Sequence, residues 1–281
     1  MKGRNESFVG FASGKVAPCR PKPVCVCTLL IWKHQHPEYP IIVAANRDEF
    51  EGRPSTDPLR LREHPLVVGG RDEVAGGTWL AVSELGVIVA LTNRRGAGRH
   101  DPAKRSRGQL VLELSQLASA TQIGERLRQL DAVQYNPFVF VALDRPDGVV
   151  AHAGDDGLRV APISHGLHVV TNWEMDDERH PKSRHAAQLA SSADVAGGEP
   201  GLVERLHDLL GDHAPGERGT DGGLCVHRPE ERYGTRSSAI VLLPSVGQAH
   251  FYYGRGHACE NRMQDVSSLL RAEDSAARVE R

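Results

Sequence analysis

Cys27 stands at the head of the first strand-like run, Val26-Cys27-Thr28-Leu29-Leu30-Ile31-Trp32. A second apolar run, Ile41-Ile42-Val43-Ala44-Ala45, ends abruptly in Asn46-Arg47-Asp48-Glu49. Pro37 and Pro40 lie between the two runs, which predicts a hairpin. Pairing them brings the charged tetrad back to the start of the first strand, beside the thiol. A cysteine next to a guanidinium and a carboxylate is a nucleophile with charge-tuning partners, which suits acyl transfer. That chemistry also needs a base and donors aimed at developing negative charge. A free cysteine has a pKa of about 8.5 and is mostly protonated at pH 7, so Arg47 or Arg236 near Cys27 is expected to favour the thiolate. Each residue also has a plainer use. A strand cysteine is commonly a small buried hydrophobe, Arg47, Asp48 and Glu49 can solvate a strand end, Asn93 and Asn172 can form turns, and Arg236 can sit in a surface ion pair.

The elements that must position these groups follow from periodicity. Thr78-Trp79-Leu80-Ala81-Val82 and Val87-Ile88-Val89-Ala90-Leu91-Thr92-Asn93 flank a short Gly86-containing loop and predict a second hairpin with a polar end. Leu110, Leu114 and Leu117 predict one helix, and Ile123, Leu127 and Leu130 a second, N-capped by Thr121. Strands are expected at 138–143, 148–152, 167–171, 239–243 and 250–253, and helices at 183–190 and 202–210. Loops are expected over 53–58, 96–107 and 212–223. Short loops and few β-α-β alternations favour antiparallel sheets with helices in separate layers. One domain from about residue 25 to 270 is expected, with a patternless leader over 1–24 and a charged tail over 271–281.

The 281 residues carry 34 basic and 36 acidic side chains, a formal net charge of -2. This balance predicts no nucleic-acid or anionic-membrane partner. The chain has no apolar run near the ~20 residues of a membrane span. The five cysteines are odd in number and show no CxxC, which predicts a reduced, cytoplasmic protein. Cys25-Val26-Cys27 has no partner pair at zinc-finger spacing. Cys225-Val226-His227 reads either as a candidate pair or as a buried strand end. His165 and His168, and His180 and His185, have loose metal-like spacing without carboxylates and are expected to be exposed. No metal or cofactor is expected.

Several stretches together resemble one family. Cys27-Thr28-Leu29, Asn46-Arg47-Asp48-Glu49, Gly76-Gly77-Thr78-Trp79-Leu80, Leu91-Thr92-Asn93, Thr171-Asn172 and Tyr233-Gly234-Thr235-Arg236-Ser237-Ser238 occur in the order of the NRDE family, that of transport and Golgi organisation protein 2. That family is similar to N-terminal nucleophile hydrolases, in particular cysteine amidases. The resemblance implies an α+β fold, a four-layer α-β-β-α sandwich of two antiparallel sheets. It implies Cys27 as nucleophile with its own α-amine as base, Arg47 and Asp48 against it, Asn93 and Asn172 as oxyanion donors, and Arg236 as a late arginine. The Arg–Asp spacing of the amidases is wider than here. A free α-amine requires either a start at Val26 or removal of a propeptide.

The expected function is hydrolysis of a C–N amide bond in a small molecule. The alternative is a non-catalytic cytosolic carrier or chaperone for haem or an acyl-lipid. An enzyme needs the thiol, the amine and the Asn/Arg groups within reach of one another. A carrier needs an apolar cleft and axial ligands such as His, Cys or Tyr.

Overall fold

The computed structural model describes residues 27–213 and 222–271. The leader expected over 1–24, nearly all of the expected tail and most of the loop expected over 212–223 lie outside the described residues. In chain order the elements are β1 (Thr28–Lys33), β2 (Ile41–Phe50), β3 (Ser55–Glu63), β4 (Leu66–Asp72), β5 (Leu80–Ser83), β6 (Ile88–Asn93), α1 (Arg107–Leu114) and α2 (Ala120–Arg128). There follow β7 (Phe138–Leu143), β8 (Gly148–Gly154), β9 (Gly157–Pro162), β10 (Gly166–Val170), α3 (Pro181–Ser192), α4 (Glu199–Leu210), β11 (His227–Arg228), β12 (Tyr233–Leu243), β13 (His250–Arg255) and β14 (Gln264–Asp265).

The strands form two antiparallel sheets. One runs β10-β1-β2-β12-β13-β14, with β11 paired to β12; the other runs β3 to β9 in chain order. Alternation along the strands separates three apolar layers. Leu29, Ile31, Val43 and Val241 meet Val82, Ile88, Val139 and Val141 between the sheets. Leu30, Ile42, Ala44 and Ile240 point the other way, onto Ala186 and Ala190 of α3 and Leu202 and Leu206 of α4. Val67, Val89 and Phe140 face Leu110 and Leu114 of α1 and Ile123 and Leu127 of α2. The result is a four-layer α-β-β-α sandwich.

Differences from the sequence expectations have local causes. The loop expected at 53–58 is largely strand β3, because Pro54 precedes the strand and Pro58 lies in an edge strand, where pairing tolerates a missing N–H. Strand β9 has exposed and partly buried residues, so it carries no apolar signal. The cap of α2 is Ser119, whose hydroxyl accepts from the Gln122 N–H, rather than Thr121. Strand β12 begins six residues before the expected Ala239, through a polar stretch that contains a bulge between Thr235 and Ser237.

Asn46 shows how the polar end of β2 is tied to the helical layer. Its amide donates to Leu210 O at 2.8 Å and Leu224 O at 2.9 Å, and its Oδ1 accepts from the Ser238 hydroxyl at 2.8 Å. Every partner is buried. Asn46→Ala should cost about 2–4 kcal/mol, because two buried carbonyls lose their donors. Urea denaturation checks this; a loss below that of an ordinary surface change would mean that these bonds are replaced by water.

Candidate functional site

Strand register brings three of the predicted residues, Cys27, Arg47 and Asn172, into one row. Leu29 pairs with Val170 and Ala45. Continuing both ladders by two residues places Cys27 between Asn172 and Arg47, and Ser237 of β12 pairs with Arg47 on the far side. Because these residues are even steps from Leu29, Ala45, Val170 and Ala239, they share the face that looks toward the second sheet. There a narrow cleft is lined by Cys27, Thr28, Arg47, Trp79, Thr92 and Ser237, among others. Its volume is about 30 Å³, room for roughly one water molecule.

Arg47 is 6% exposed. Its guanidinium lies over the Trp79 ring at 4.3 Å and reaches Glu49 at 3.8 Å. Its Nη1 is buried without a hydrogen-bond partner, as is Thr28 Oγ1. A buried donor left unpaired is costly unless something fills its place, so the cleft wall offers an unused positive donor beside a thiol. Trp79 belongs to this arrangement although only the Gly76-Gly77-Thr78-Trp79 motif signalled it. A Cβ on Gly70 would come within 2.5 Å of its ring, which explains the glycine opposite.

Asp48 follows Arg47 by one residue and so emerges on the opposite face of β2. Its carboxylate is fully buried in the helical layer. It accepts from Lys182 Nζ of α3 at 3.1 Å and from the Thr235 hydroxyl at 2.6 Å. Burial pushes the Asp48 carboxyl up, and Lys182 and Thr235 oppose that shift. Its contact with Cys27 runs through the backbone: the thiol reaches Asp48 O at 3.8 Å. Lys182, missed in the sequence, is 4% exposed and counters this carboxylate.

The thiol itself departs from expectation. Burial, then the Asp48 carboxylate, push Cys27 up to about 12, and the backbone bond to Asp48 and the Arg47 charge do not outweigh them. Arg236 is not among the charges that shift the thiol. Arg236 lies at the β12 bulge outside the residues lining the cleft, and its charge acts on His257 instead.

Asn172 is fully buried, and its Nδ2 donates to Asn93 O at 2.6 Å while its Oδ1 has no partner. Asn93 therefore meets the site through its carbonyl, holding Asn172 in place. Thr92 Oγ1 adds a bond to Thr171 O at 2.6 Å, so the end of β6 clasps the end of β10. Asp176 closes the turn that follows. It accepts from Val169 N at 2.7 Å and from His168 Nδ1 at 2.7 Å. His168, expected to be exposed, is 7% exposed. Hydrogen bonding to Asp176 raises the His168 pKa. A raised histidine stabilises fully below its unfolded pKa of about 6.5, and that contribution is lost as pH rises through the folded value. The stability difference between the native chain and His168→Gln should therefore shrink from pH 5.5 to pH 9. Paired urea titrations across that range check it, and a difference that grows with pH would refute the assignment.

A second cluster lies at the end of this sheet. His213, Cys225, His227 and Cys259 bring one ligand atom each to within 4.8 Å of one another. From the sequence only Cys225 and His227 stood together. His213 and Cys259 join them through the loops after α4 and β13, which no local spacing signals.

Comparison with known proteins agrees with this architecture. Residues 25–256 match the family model described as Transport and Golgi organisation 2. The chain belongs to that family. It is 30% identical over 248 residues to the bovine (Bos taurus) Transport and Golgi organization protein 2 homolog, covering 76% of this chain and 85% of the relative. It is 25% identical over 270 residues to the Drosophila melanogaster protein, covering 80% and 90%. Among solved structures, conjugated bile acid hydrolase from Clostridium perfringens is similar in fold. One variant superposes with a TM-score of 0.55 at 12% identity over 88% of this chain and 95% of that one. A second gives 0.54 at 11% identity with the same coverage. Among the described residues no helix is long and apolar enough to cross a membrane.

Proposed function

We propose that this family member is an N-terminal cysteine hydrolase that cleaves a C–N amide bond in a small molecule. The observation that carries the reading is the unpartnered, buried Arg47 Nη1 lining the same cleft as the Cys27 thiol. In the working form Cys27 is the first residue. Its α-amine, with a pKa near 8, takes the thiol proton. The sulfur attacks the amide carbon, Arg47 donates to the oxyanion, and the C–N bond breaks as the leaving amine takes the proton back. Water then cleaves the thioester and restores the thiol. Asn172 Oδ1, opposite Cys27 in register, accepts from the α-amine; Asn93 positions Asn172, and Asp48 supports the strand end from behind. Arg236 takes no direct part.

The cleft, with room for about one water molecule, holds no macrocycle, and a scissile amide approaches the thiol from its mouth. The bulk of the substrate lies at the mouth. The test compares a chain beginning at Cys27 with one beginning at Met1 on a panel of N-acyl amides that includes a conjugated bile acid. Turnover only by the first supports the reading; equal turnover, or none by either, overturns it.

A further inference from the structure

We propose that His213, Cys225, His227 and Cys259 bind a zinc(II) ion in a closed, structural site. Two sulfurs and two imidazole nitrogens are the donor set for this borderline-soft ion. Three of the ligand atoms have the spacings of a tetrahedral site, and His213 brings its own to within 4.8 Å of them. With Zn–S near 2.3 Å and Zn–N near 2.0–2.1 Å, tetrahedral angles put the two sulfurs about 3.8 Å apart and sulfur about 3.5 Å from nitrogen. The Sγ atoms of Cys225 and Cys259 are 3.7 Å apart, and His227 Nε2 lies 3.5 Å from the first and 3.2 Å from the second. A disulfide would need the sulfurs near 2.05 Å.

The fourth ligand has its own mark. His213 Nε2 is buried and has no hydrogen-bond partner. Its ring centroid is 5.1 Å from that of His227, and His257 stacks on the same His227 ring at 3.7 Å, fixing its plane. Four protein ligands leave no open position, so the ion is structural rather than catalytic.

The site joins three separate pieces of chain: the end of α4, the strap carrying Cys225 and His227, and the loop after β13. The strap is already drawn against β12. Val226 N donates to Thr235 Oγ1 at 2.9 Å, and Thr235 N to Val226 O at 2.9 Å. A Cβ on Gly234 would fall within 2.6 Å of Val226 O and 2.9 Å of His257. The Thr235 hydroxyl donates onward to Asp48. The ion therefore clasps the wall that holds the polar end of β2, on the helical side of the sheet and away from the Cys27 cleft.

The full chain, expressed with added zinc and desalted under reducing conditions, should carry about one zinc per chain by elemental analysis. Cys225→Ser and Cys259→Ser should each bring that below about a fifth, while Cys27→Ser keeps it. Since Cys259 is exposed, its serine variant is the one expected to stay folded, and circular dichroism checks it. Independently of any variant, Co(II) added to the zinc-free protein should give thiolate-to-metal charge transfer and the strong visible bands of a tetrahedral ion. Zinc retained unchanged by Cys259→Ser, absence of the cobalt–thiolate bands, or an intact mass two hydrogens short from a Cys225–Cys259 disulfide would each overturn the site.

Discussion

A chain beginning at Cys27 is expected to lose at least ~10³-fold in kcat/KM on amides when Cys27 is replaced by alanine. Arg47→Met should cost about 10²-fold, mainly in kcat, because its unpaired Nη1 acts on charge that develops only in the transition state. The reasoning rests on the thiol. Burial and the Asp48 carboxylate push its pKa up, so the thiol is less ionised at pH 7 than an ordinary cysteine. Arg47 does not reverse this shift, so a standing thiolate is not what the site favours. Reactivity then comes from a base that removes the proton during attack, and the amine of Cys27 itself is the nearest group that chain cleavage or initiation can create. The rate of iodoacetamide alkylation, mapped by mass spectrometry, should accordingly rise at Cys27 when the amine is freed and stay level at Cys225. Undiminished turnover in Cys27→Ala would remove the nucleophile from this scheme; a loss confined to KM in Arg47→Met would make that arginine a substrate binder.

Lys182→Met should be the most destabilising single change near the site, by about 3–5 kcal/mol, or roughly 10 °C in Tm. It would strand a carboxylate that is buried with only the Thr235 hydroxyl left to it. Breaking a buried pair costs more than removing both halves, so Asp48→Asn combined with Lys182→Met should recover most of the loss. The pH dependence has a definite sign. Burial already raises the Asp48 carboxyl and Lys182 opposes the shift; without Lys182 the folded value rises further. A carboxyl whose folded pKa exceeds its unfolded one gives stability that is present at low pH and lost as pH rises through the folded value. The deficit of Lys182→Met relative to the double variant should therefore grow as pH rises from about 4. Urea titrations of the three chains measure it; a double variant no more stable than Lys182→Met would show that the ion pair is not the cause.

Much of this was legible in residue order alone. The runs on either side of Pro37 and Pro40 specified a hairpin that carries Arg47 back to Cys27, because strand pairing after a short connection leaves few registers that keep Leu29, Ile31, Ala45 and Val43 on one face. The two leucine-bearing stripes after Arg107 specified helices, and the alternating strands specified antiparallel sheets with helices in separate layers, while the four-layer α-β-β-α order was implied by the family resemblance. Arg47 and Asp48 were both expected against the thiol, whereas alternation along β2 turns them to opposite faces, and residue order did not say which would meet the thiol. That depended on α3 packing onto β2 and presenting Lys182 to Asp48, a contact 134 residues apart in the chain. The same holds for Asn172, whose amide is committed to Asn93 by the meeting of two sheets, and for Arg236, which a one-residue bulge in β12 leaves outside the cleft. The convergence of His213 and Cys259 on Cys225 and His227 is the extreme case. Local patterns record the period of a strand or helix, whereas distances between segments are set by how whole layers stack, and chemistry at a site depends on those distances.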